Sequence, residues 1–171
     1  ELAKSGLETI LVDKNMGLGE EVSSRNSGVI HAGFYYPQGS LKSQFCNIGN
    51  KLLYSYCDEN GVYTNKTGKI LVSKDNKSAE IFRHYIQNAK SVGADDLRIV
   101  ESKELRGLEP AISANYGLFS SETGIIDVDG YISSLTKNFE RCGGLVSLRT
   151  KLIDAKKVGT HFFSTLVTDQ E

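Results

Sequence analysis

The segment from Ser23 to Tyr36 holds the side chains best suited to chemistry. Its first half is small and hydroxyl-rich, with Ser24, Asn26, Ser27 and Gly28 in close succession. A backbone of small residues can approach a pyrophosphate closely and donate N–H groups to it, and a helix that begins there adds a favourable field. The same composition is also typical of an ordinary turn. From the residues alone, a phosphate-binding loop and a plain turn both stay open.

The second half of the segment places one histidine between small residues. His31 is followed by Ala32 and Gly33, and then by the adjacent Tyr35 and Tyr36. An imidazole can take up or release a proton near neutral pH, and these small neighbours leave it room beside a planar ring. The alternative is a buried histidine whose hydrogen bonds are satisfied within the core. The two tyrosines are well placed to line a pocket.

The elements that would position this segment begin at the start of the chain. Glu1 to Gly6 is typical of the end of a helix closed by glycine, and an apolar strand follows from Glu8 to Asp13. A helix, a glycine and a strand ending in an acid form the back half of a dinucleotide-binding βαβ unit. There the acid accepts hydrogen bonds from a ribose, about 20 residues after a glycine-rich loop. Asp13 comes too early in the chain for that glycine-rich loop to precede it within this sequence. We therefore expect the loop to lie upstream of Glu1 and the chain to be a fragment. An ordinary strand with a turn at 13–15 is the other interpretation.

The rest of the chain predicts mixed helices and strands without repeats. The predicted helices are 41–60, capped by Ser40 and closed by Gly61; one from Ser78 to Gly93; a short one from Ser102 that stops before Glu109-Pro110; and 130–142, capped by Asp129. The predicted extended segments are 69–72, 124–127 and the tail 145–168, with a hairpin turn at Lys156-Lys157. Apolar residues of the first long helix recur every three or four positions, at Leu41, Phe45, Ile48, Leu52 and Tyr56.

Composition narrows the function classes. The 171 residues are 39% hydrophobic and 24% charged, with a formal net charge of -1, which is typical of a folding globular chain. That charge gives no basic field for phosphate backbones, so we expect no nucleic-acid partner. The 3 cysteines form no C-x-x-C pair and the 3 histidines are scattered, so no metal site is predicted. No apolar run is long enough to span a membrane.

A resemblance to a known family covers nearly the whole chain in order. It is carried by Asn26-Ser-Gly-Val-Ile-His-Ala-Gly33, Tyr35-Tyr36, Gly39-Ser-Leu-Lys42 with Phe45-Cys46, Gly68-Lys69, Glu104-Leu-Arg106, Glu109-Pro110, Thr123-Gly-Ile125 and Gly143-Gly144. These motifs resemble the FAD-dependent oxidoreductases of the D-amino-acid oxidase superfamily, and most closely the L-2-hydroxyglutarate dehydrogenase/oxidase family. The Asn-Ser-Gly-Val-Ile-His block is fairly specific, whereas Glu-Pro and Gly-Ile-Ile are weak alone.

The resemblance implies a fold and a division into domains. The fold class is α/β to α+β, a Rossmann-like FAD-binding domain with an inserted substrate domain of mixed sheet and helix, truncated at both ends. The implied boundaries are 1–68 and 123–171 for the FAD-binding domain and 69–122 for the inserted segment.

The resemblance also implies roles for individual residues. The cofactor is FAD, and the residues along it are Asp13 at the adenosine ribose, then Ser24, Asn26, Ser27, Gly28 and His31. The reaction is oxidation of an L-2-hydroxy acid, with a hydride passing to the flavin, which carries the hard chemistry. His31 is the candidate base, and a flavin-contacting role without proton transfer stays open beside it. Tyr35, Tyr36 and Lys69 are the candidate substrate residues, and Lys42 and Lys69 could pair with the carboxylates of a diacid.

The family pattern is not followed everywhere. Arg25 stands where many relatives carry histidine, and Asp127-Val-Asp129 replaces the usual Asp-Tyr or Ser-Tyr, so no substrate contacts are assigned there. Family members are also longer, and we expect this chain alone to hold FAD weakly and to be inactive.

Partners and alternatives follow from the same resemblance. The expected partners are a small 2-hydroxy acid and an electron acceptor, a quinone or another carrier, with peripheral membrane contact as one option. The expected location is the cytoplasm, at the inner membrane face in a bacterium, or the mitochondrion in a eukaryote. The alternatives are oxidation of glycerol 3-phosphate or an amino acid, a non-catalytic dinucleotide-binding domain, and an NAD-linked dehydrogenase, which would not explain the block from Asn26 to His31.

Overall fold

A computed structural model describes residues 1–75, 78–91, 93–94 and 96–168 of the protein. The chain divides into two compact units. One unit, here called the terminal unit, comprises Glu1–Asn26 and the chain from Val128 onward. The other, the central unit, is the continuous stretch Ser27–Asp127.

The terminal unit is built on a short parallel strand pair. Its elements are a 3-10 turn at Ala3–Ser5, strand β1 (Ile10–Val12), a second 3-10 turn at Ser23–Arg25, helix α4 (Val128–Arg141), and strands β8 (Leu145–Ser147), β9 (Thr150–Val158) and β10 (His161–Thr168). β1 pairs with β8 in parallel, Ile10 opposite Leu145. Gly6, which follows the first turn, adopts the left-handed conformation expected of a glycine that closes a helix (φ 80°). Parallel strands require a crossover, and the connection from β1 to β8 includes the whole central unit. The βαβ unit expected at the start of the chain stays a prediction.

The terminal unit ends in an antiparallel hairpin, and its turn differs from the prediction. β9 and β10 pair with Val158 opposite His161, so the turn residues are Gly159 and Thr160. Gly159 has φ 63°, which suits the first turn position of a two-residue hairpin. The prediction of a turn at Lys156-Lys157 was therefore wrong, because both lysines lie within β9. The pair of charges suggested a loop, but both faces of this hairpin are exposed and tolerate lysine.

The central unit contains two three-stranded antiparallel sheets and three helices. Its elements are β2 (Val29–Ile30), α1 (Leu41–Asn60), β3 (Thr64–Asn65), β4 (Lys69–Ser73), α2 (Ser78–Ser91), β5 (Leu97–Glu101), α3 (Ser102–Leu108), β6 (Tyr116–Ser120) and β7 (Gly124–Ile126). The strand orders are β2-β7-β3 and β4-β6-β5. With the parallel pair of the terminal unit, this mixture of helices and sheets is the mixed α/β class that was expected.

The core of the central unit lies between α2 and the β4-β6-β5 sheet. Its buried members are Ala32, Phe34, Phe82, Ala89, Ala94 and Leu118. Phe34 is fully buried and belongs to the segment that also carries His31. That segment is therefore anchored by packing on its Phe34 side, which is what a site needs if its side chains are to hold a fixed geometry.

The helix boundaries follow their local signals closely. Ser40 caps α1 by accepting the N–H of Ser43, and Gly61 ends that helix at φ 66°. α3 stops at Leu108, one residue before Glu109-Pro110. α4 begins at Val128, so Asp129 lies inside its first turn and is not the cap that was predicted. An acidic side chain there still interacts favourably with the helix dipole.

The apolar stripe of α1 is not buried. Leu41, Phe45, Ile48 and Leu52 are 68%, 65%, 56% and 64% exposed. The buried residues of this helix are instead Ser43, Asn50 and Cys57. The periodicity thus predicted the helix correctly. It did not predict which face of the helix is buried against the described part of the chain.

Candidate functional site

Asp13 lies at the carboxyl end of the parallel strand pair. Its N–H donates to the carbonyl of Ser147, and its own carbonyl accepts from the N–H of Thr150 at 2.8 Å. One carboxylate oxygen accepts the N–H of Asn15 at 2.8 Å. A carboxylate has about four acceptor sites, so capacity remains for further donors. In open α/β sheets, ligands bind beyond the carboxyl ends of the strands, which is where this side chain stands.

Asp13 lines a cavity within the terminal unit. Its volume is about 570 Å³, and its wall consists of Val12, Asp13, Lys14, Asn15, Gly19, Glu20, Glu21, Val22, Ser23, Thr150, Lys151 and Leu152. Lys14 pairs with Glu21 at this wall, and the ammonium group lowers the pKa of the Glu21 carboxyl through a hydrogen bond and its charge. A cavity of this size with both donors and acceptors suits a polar group such as a nucleoside.

Ser24 and Asn26 hold the turn that follows this cavity. The Ser24 hydroxyl donates to the carbonyl of Glu20 at 2.8 Å. The Asn26 amide donates to the carbonyl of Ser23 at 2.6 Å. Both side chains therefore shape the backbone around the 3-10 turn at Ser23–Arg25. The sequence predicted them as cofactor contacts, and what the geometry adds is a role in fixing the loop.

Ser27 and Gly28 begin the central unit. Gly28 has φ 63°, a conformation that side-chain-bearing residues rarely adopt. Its carbonyl accepts the N–H of Ile126, which ties the loop to β7. Of the predicted cofactor residues, Asp13, Ser24 and Asn26 thus belong to the terminal unit, and Ser27, Gly28 and His31 to the central unit.

His31 directly follows β2 and its ring is held by a tyrosine. Nδ1 of His31 lies 2.6 Å from the hydroxyl oxygen of Tyr35, and the two rings meet edge to face. The backbone carbonyl of His31 accepts from the Asn50 amide at 3.3 Å. The side chain is exposed on one side, so this imidazole is oriented and also accessible.

Two lysines flank the tyrosines next to His31. Nζ of Lys42 lies 4.4 Å from the centroid of the Tyr36 ring, and Nζ of Lys69 lies 4.9 Å from that of the Tyr35 ring. The Tyr35 and Tyr36 rings themselves are 4.6 Å apart. We call these four side chains, together with His31, the histidine–lysine cluster. It brings all three predicted substrate residues, Tyr35, Tyr36 and Lys69, together around the predicted base.

The cluster keeps its histidine uncharged. Partial burial lowers the pKa of His31, and the positive charges of Lys69 and Lys42 lower it further. An imidazole with a lowered pKa is neutral at physiological pH and can accept a proton. The two ammonium groups also provide strong donors to an anionic group. The arrangement can therefore bind a carboxylate or phosphate and remove a proton beside it.

Residues that the sequence did not single out support this cluster. The Asn88 amide on α2 donates to the carbonyls of Phe34 and Tyr36, at 3.0 and 2.8 Å. Tyr35, Tyr36 and His84 also line a cavity of about 690 Å³ in the central unit. Asn88 is 52 residues away from Tyr36, and no local pattern signals such a contact. Asn50 does have a local signal: it lies four positions before Tyr54 on α1, and this spacing places both side chains on one face of the helix.

The structure gives no chemical role to the cysteine, metal-site and membrane-span candidates. Cys57 is buried, and burial raises the pKa of its thiol, which makes it inert. Within the described residues, no three His, Cys, Asp or Glu side chains come together as a metal-binding group. No described helix has both the length and the apolar character needed to cross a bilayer.

Comparison with known proteins gives one family over almost the whole chain. Residues 1–169 match the FAD dependent oxidoreductase family. The chain is 37% identical to the mitochondrial L-2-hydroxyglutarate dehydrogenase of Arabidopsis thaliana over 82% of its own length and 29% of that protein. It is 32% identical to the corresponding protein of Nematostella vectensis, over 85% of this chain and 32% of that one. The chain thus spans about a third of the length of these relatives.

Solved structures give the same fold at lower identity. The L-α-glycerophosphate oxidase of Mycoplasma pneumoniae, solved with FAD bound, superposes with a TM-score of 0.85 at 21% identity, covering 98% of this chain and 46% of that one. The glycine oxidase of Geobacillus kaustophilus superposes with a TM-score of 0.81 at 14% identity, over 96% of this chain and 46% of that one. These similarities establish the fold.

Proposed function

The chain belongs to the family of FAD-dependent oxidoreductases, and from that premise we propose that it is part of an enzyme that oxidises L-2-hydroxyglutarate to 2-oxoglutarate. The observation that carries the proposal is the histidine–lysine cluster, in which an uncharged imidazole stands beside two ammonium groups. A dicarboxylate with a hydroxyl next to one carboxylate needs both features. The similarity to L-2-hydroxyglutarate dehydrogenases supports this substrate over others.

The residues present fit the FAD that the family implies. Asp13 keeps acceptor capacity in the wall of a 570 Å³ cavity, as the ribose hydroxyls of the adenosine require. Gly28 has φ 63°, a backbone conformation that favours glycine, in the loop proposed to lie along the cofactor. We propose that Asp13, Ser24, Asn26, Ser27, Gly28 and His31 hold the cofactor, Ser24 and Asn26 through the loop they shape. When bound, the flavin supplies the acceptor for a hydride from the substrate carbon.

His31 would act as the general base. Its neutral ring takes the proton of the substrate hydroxyl, and the positive charge that then forms on the imidazole is shared with solvent on its exposed side. The ammonium groups that keep the ring neutral at rest make it a weaker base, but one available over a wider pH range. A contact with the flavin without proton transfer is the alternative role for this residue.

Lys42 and Lys69 would bind the carboxylates of the substrate, with Tyr35 and Tyr36 lining its site. Each ammonium group lies over a tyrosine ring and forms no salt bridge with a carboxylate within the described residues. Cation–π contacts leave the N–H groups able to donate outward. A diacid would then be held by charge at its ends and oriented with its hydroxyl toward His31.

The domain boundaries 1–68, 69–122 and 123–171, the electron acceptor and the location are part of the same proposal. Electrons would pass to a quinone or another carrier, with peripheral membrane contact where the carrier is a quinone. Both curated relatives described above are mitochondrial proteins. A mitochondrial location would follow if the source is a eukaryote, and a cytoplasmic one, at the inner membrane face, in a bacterium.

Anaerobic bleaching of the flavin tests the function. The protein at its natural length is mixed without oxygen with L-2-hydroxyglutarate, its D enantiomer, glycerol 3-phosphate or glycine, and the yellow absorbance is followed. We expect only L-2-hydroxyglutarate to bleach it rapidly. Bleaching by glycerol 3-phosphate or glycine instead would reassign the substrate, and a correctly folded protein without flavin would leave a non-catalytic domain.

Replacement of His31 separates its two roles. His31→Ala should lower the rate of bleaching by about 100-fold or more if the residue is the base, while flavin stays bound. His161→Ala, at an exposed position of β10, is the matched control and should keep most of the rate. An unchanged rate in His31→Ala would remove the base role and leave the flavin assignment standing.

A further inference from the structure

The pairing between β2 and β7 ends just before His31. Its last pair is Ile30 opposite Gly124. Backbone groups that leave a strand ladder need other partners, and here a side chain of α1 supplies them. The Asn50 amide donates to the carbonyl of His31 at 3.3 Å and to that of Glu122 at 3.0 Å. Asn50 is 6% exposed, so one buried amide replaces the ladder at the point where His31 leaves the sheet.

The backbone of Glu122 is held by side chains at both its N–H and its carbonyl. The N–H donates to a carboxylate oxygen of Asp96 at 3.0 Å. The carbonyl accepts from Asn50 and also from the Tyr54 hydroxyl, at 3.2 Å. Hydrogen bonds to a charged acceptor are about twice as strong as those between neutral groups. Asp96 therefore fixes the position of the carbonyl that Asn50 joins to His31.

Asp96 also orients both ends of the turn between β6 and β7, here called the 120–123 turn. The same carboxylate oxygen accepts the Ser120 hydroxyl at 2.6 Å. The Thr123 hydroxyl lies 3.0 Å from that of Ser120. Ser120 has a single hydroxyl hydrogen, which goes to Asp96, so Thr123 is the donor in the second contact. Both hydroxyl residues are buried, and the 120–123 turn is organised around one carboxylate.

We propose that Asp96 is a positioning residue for His31, acting through the 120–123 turn and Asn50. Asp96 does not belong to the histidine–lysine cluster; with Ala32 and Asn50 it lines a different cavity, of about 360 Å³. Loss of its carboxylate would release the Glu122 N–H and let the His31 backbone shift. A misplacement of about 1 Å lowers a catalysed rate on the order of 100-fold. The proposal rests on the proposed function for the part that His31 plays in the reaction.

The rate constant of flavin bleaching tests this role. The protein at its natural length is mixed anaerobically with saturating L-2-hydroxyglutarate, and the rate constant and the amplitude are measured separately. The amplitude reports the fraction of folded protein with flavin bound, and the rate constant reports the reacting site. Asp96→Leu should lower the rate constant by about 10-fold or more. Asp96→Asn keeps an acceptor oxygen for the turn and should recover most of the rate constant.

Two further variants show whether the effect passes through His31. In the His31→Ala background, Asp96→Leu should lower the rate constant by less than about 2-fold, because residues that act as a unit are not additive. Asn115→Leu is the matched control. Its amide also joins distant segments, donating to the Lys74 carbonyl at 3.2 Å, but it lies beyond the end of the β4–β6 ladder that is opposite to Lys69. This variant should leave the rate constant unchanged.

The position of His31 can also be measured without substrate. In protein labelled with ¹³C-carbonyl histidine, the His31 signal, identified with His31→Gln, reports the hydrogen bond that its carbonyl accepts. We expect that signal to shift in Asp96→Leu and in Asn50→Leu, and to stay in place in Asn115→Leu. In the unmodified protein, the Glu122 amide should exchange with solvent at least about 100-fold more slowly than in an unfolded chain. Free exchange there would overturn the proposal even if the Asp96 variants fail to fold.

The outcomes separate this inference from the proposed function. An unchanged rate constant with a reduced amplitude in Asp96→Leu would give Asp96 a purely structural role and overturn the proposal. A full loss that persists in the His31→Ala background would overturn it as well. If no substrate bleaches the flavin but the His31 carbonyl signal shifts as expected, the proposed function fails and the positioning of His31 by Asp96 stands.

Discussion

Asn88 on α2 donates a hydrogen bond to the carbonyl oxygen of Tyr36, 2.8 Å from its amide nitrogen, and a second one to Phe34 at 3.0 Å. One side chain thus joins the segment of the histidine–lysine cluster to a helix that lies 52 residues further along the chain. Backbone carbonyls that lose their donor in a partly buried place are costly. The contact gives the two tyrosines a fixed backbone from which to reach the proposed substrate.

Asn88→Ala should therefore weaken both stability and substrate binding. We expect a loss of about 1–2 kcal/mol in the free energy of unfolding, measured by urea denaturation, and an increase in KM that exceeds the change in kcat. Asn60→Ala is the matched control, because its amide donates to the carbonyl of Tyr56 within one helix turn at the exposed end of α1. That variant should stay within about 0.5 kcal/mol of the parent. Equal effects in both variants would contradict a special role for Asn88.

Asn50 and Tyr54 should be energetically coupled. Both side chains donate to the carbonyl of Glu122, at 3.0 and 3.2 Å, and Asn50 also supports the carbonyl of His31. Either donor can satisfy Glu122 alone, so Tyr54→Phe should cost only about 1 kcal/mol. Asn50→Leu should cost more, about 1–3 kcal/mol. The double variant should lose more than the sum of the single losses, as read from a urea double-mutant cycle. Strict additivity would show that the shared acceptor is satisfied in another way.

Helices could be predicted from the sequence because their signals are local. Ser40 and Gly61 bracket α1 at its observed ends, and Pro110 stops α3 where expected. The buried face of α1 could not be predicted, because burial depends on partners from distant parts of the chain. Asn50, which the apolar pattern passes over, contacts Glu122 across 72 residues.

The site was predicted in part for the same reason. His31, Tyr35 and Tyr36 are close in sequence, so their proximity was foreseeable. That Lys42 and Lys69 lie over those tyrosines depends on where α1 and β4 fold back. Family resemblance drew attention to both lysines, but surface lysines are common, and only the structure places them against the rings.

Gly33 should tolerate alanine less well than two other glycines do. Gly33 has φ 82°, and a Cβ there would lie 3.0 Å from Cβ of Cys46. Gly39 has φ 77° but open space around it, so Gly39→Ala should cost only the backbone strain of about 1–2 kcal/mol. Gly33→Ala should cost about 1–3 kcal/mol more, because the contact with α1 must also shift. In Gly49→Ala, within α1 and in open space, helix propensity should instead stabilise the protein by about 1 kcal/mol. Urea denaturation should therefore rank Gly49→Ala as the most stable variant, then Gly39→Ala, then Gly33→Ala. Equal losses at Gly33 and Gly39 would show that α1 shifts away from the added Cβ without cost.

Asp13→Asn should weaken FAD binding without altering the chemical step. The amide lacks the charge and part of the acceptor capacity that the ribose hydroxyls need, so we expect the Kd for FAD to rise on the order of 10-fold to 100-fold. The kcat at saturating FAD should remain close to that of the parent. Asp58→Asn, at an exposed position of α1, is the control and should bind FAD normally. An unchanged Kd in Asp13→Asn would remove the ribose assignment for this cavity.

Lys69→Met should move the pH dependence of the reaction in a defined direction. Burial and the charges of Lys69 and Lys42 lower the pKa of His31. A base must be unprotonated, so kcat/KM should fall as the pH falls through that pKa. Removal of the Lys69 charge raises the pKa, and the acid limb of the profile should move to higher pH. The plateau value of kcat/KM should also fall on the order of 10-fold to 100-fold through loss of a carboxylate contact. Lys103→Met, at an exposed position of α3, removes a lysine charge away from the cluster and should leave both the limb and the plateau in place. A limb that does not move in Lys69→Met, or that moves to lower pH, would contradict the proposed effect of the Lys69 charge on the group that titrates.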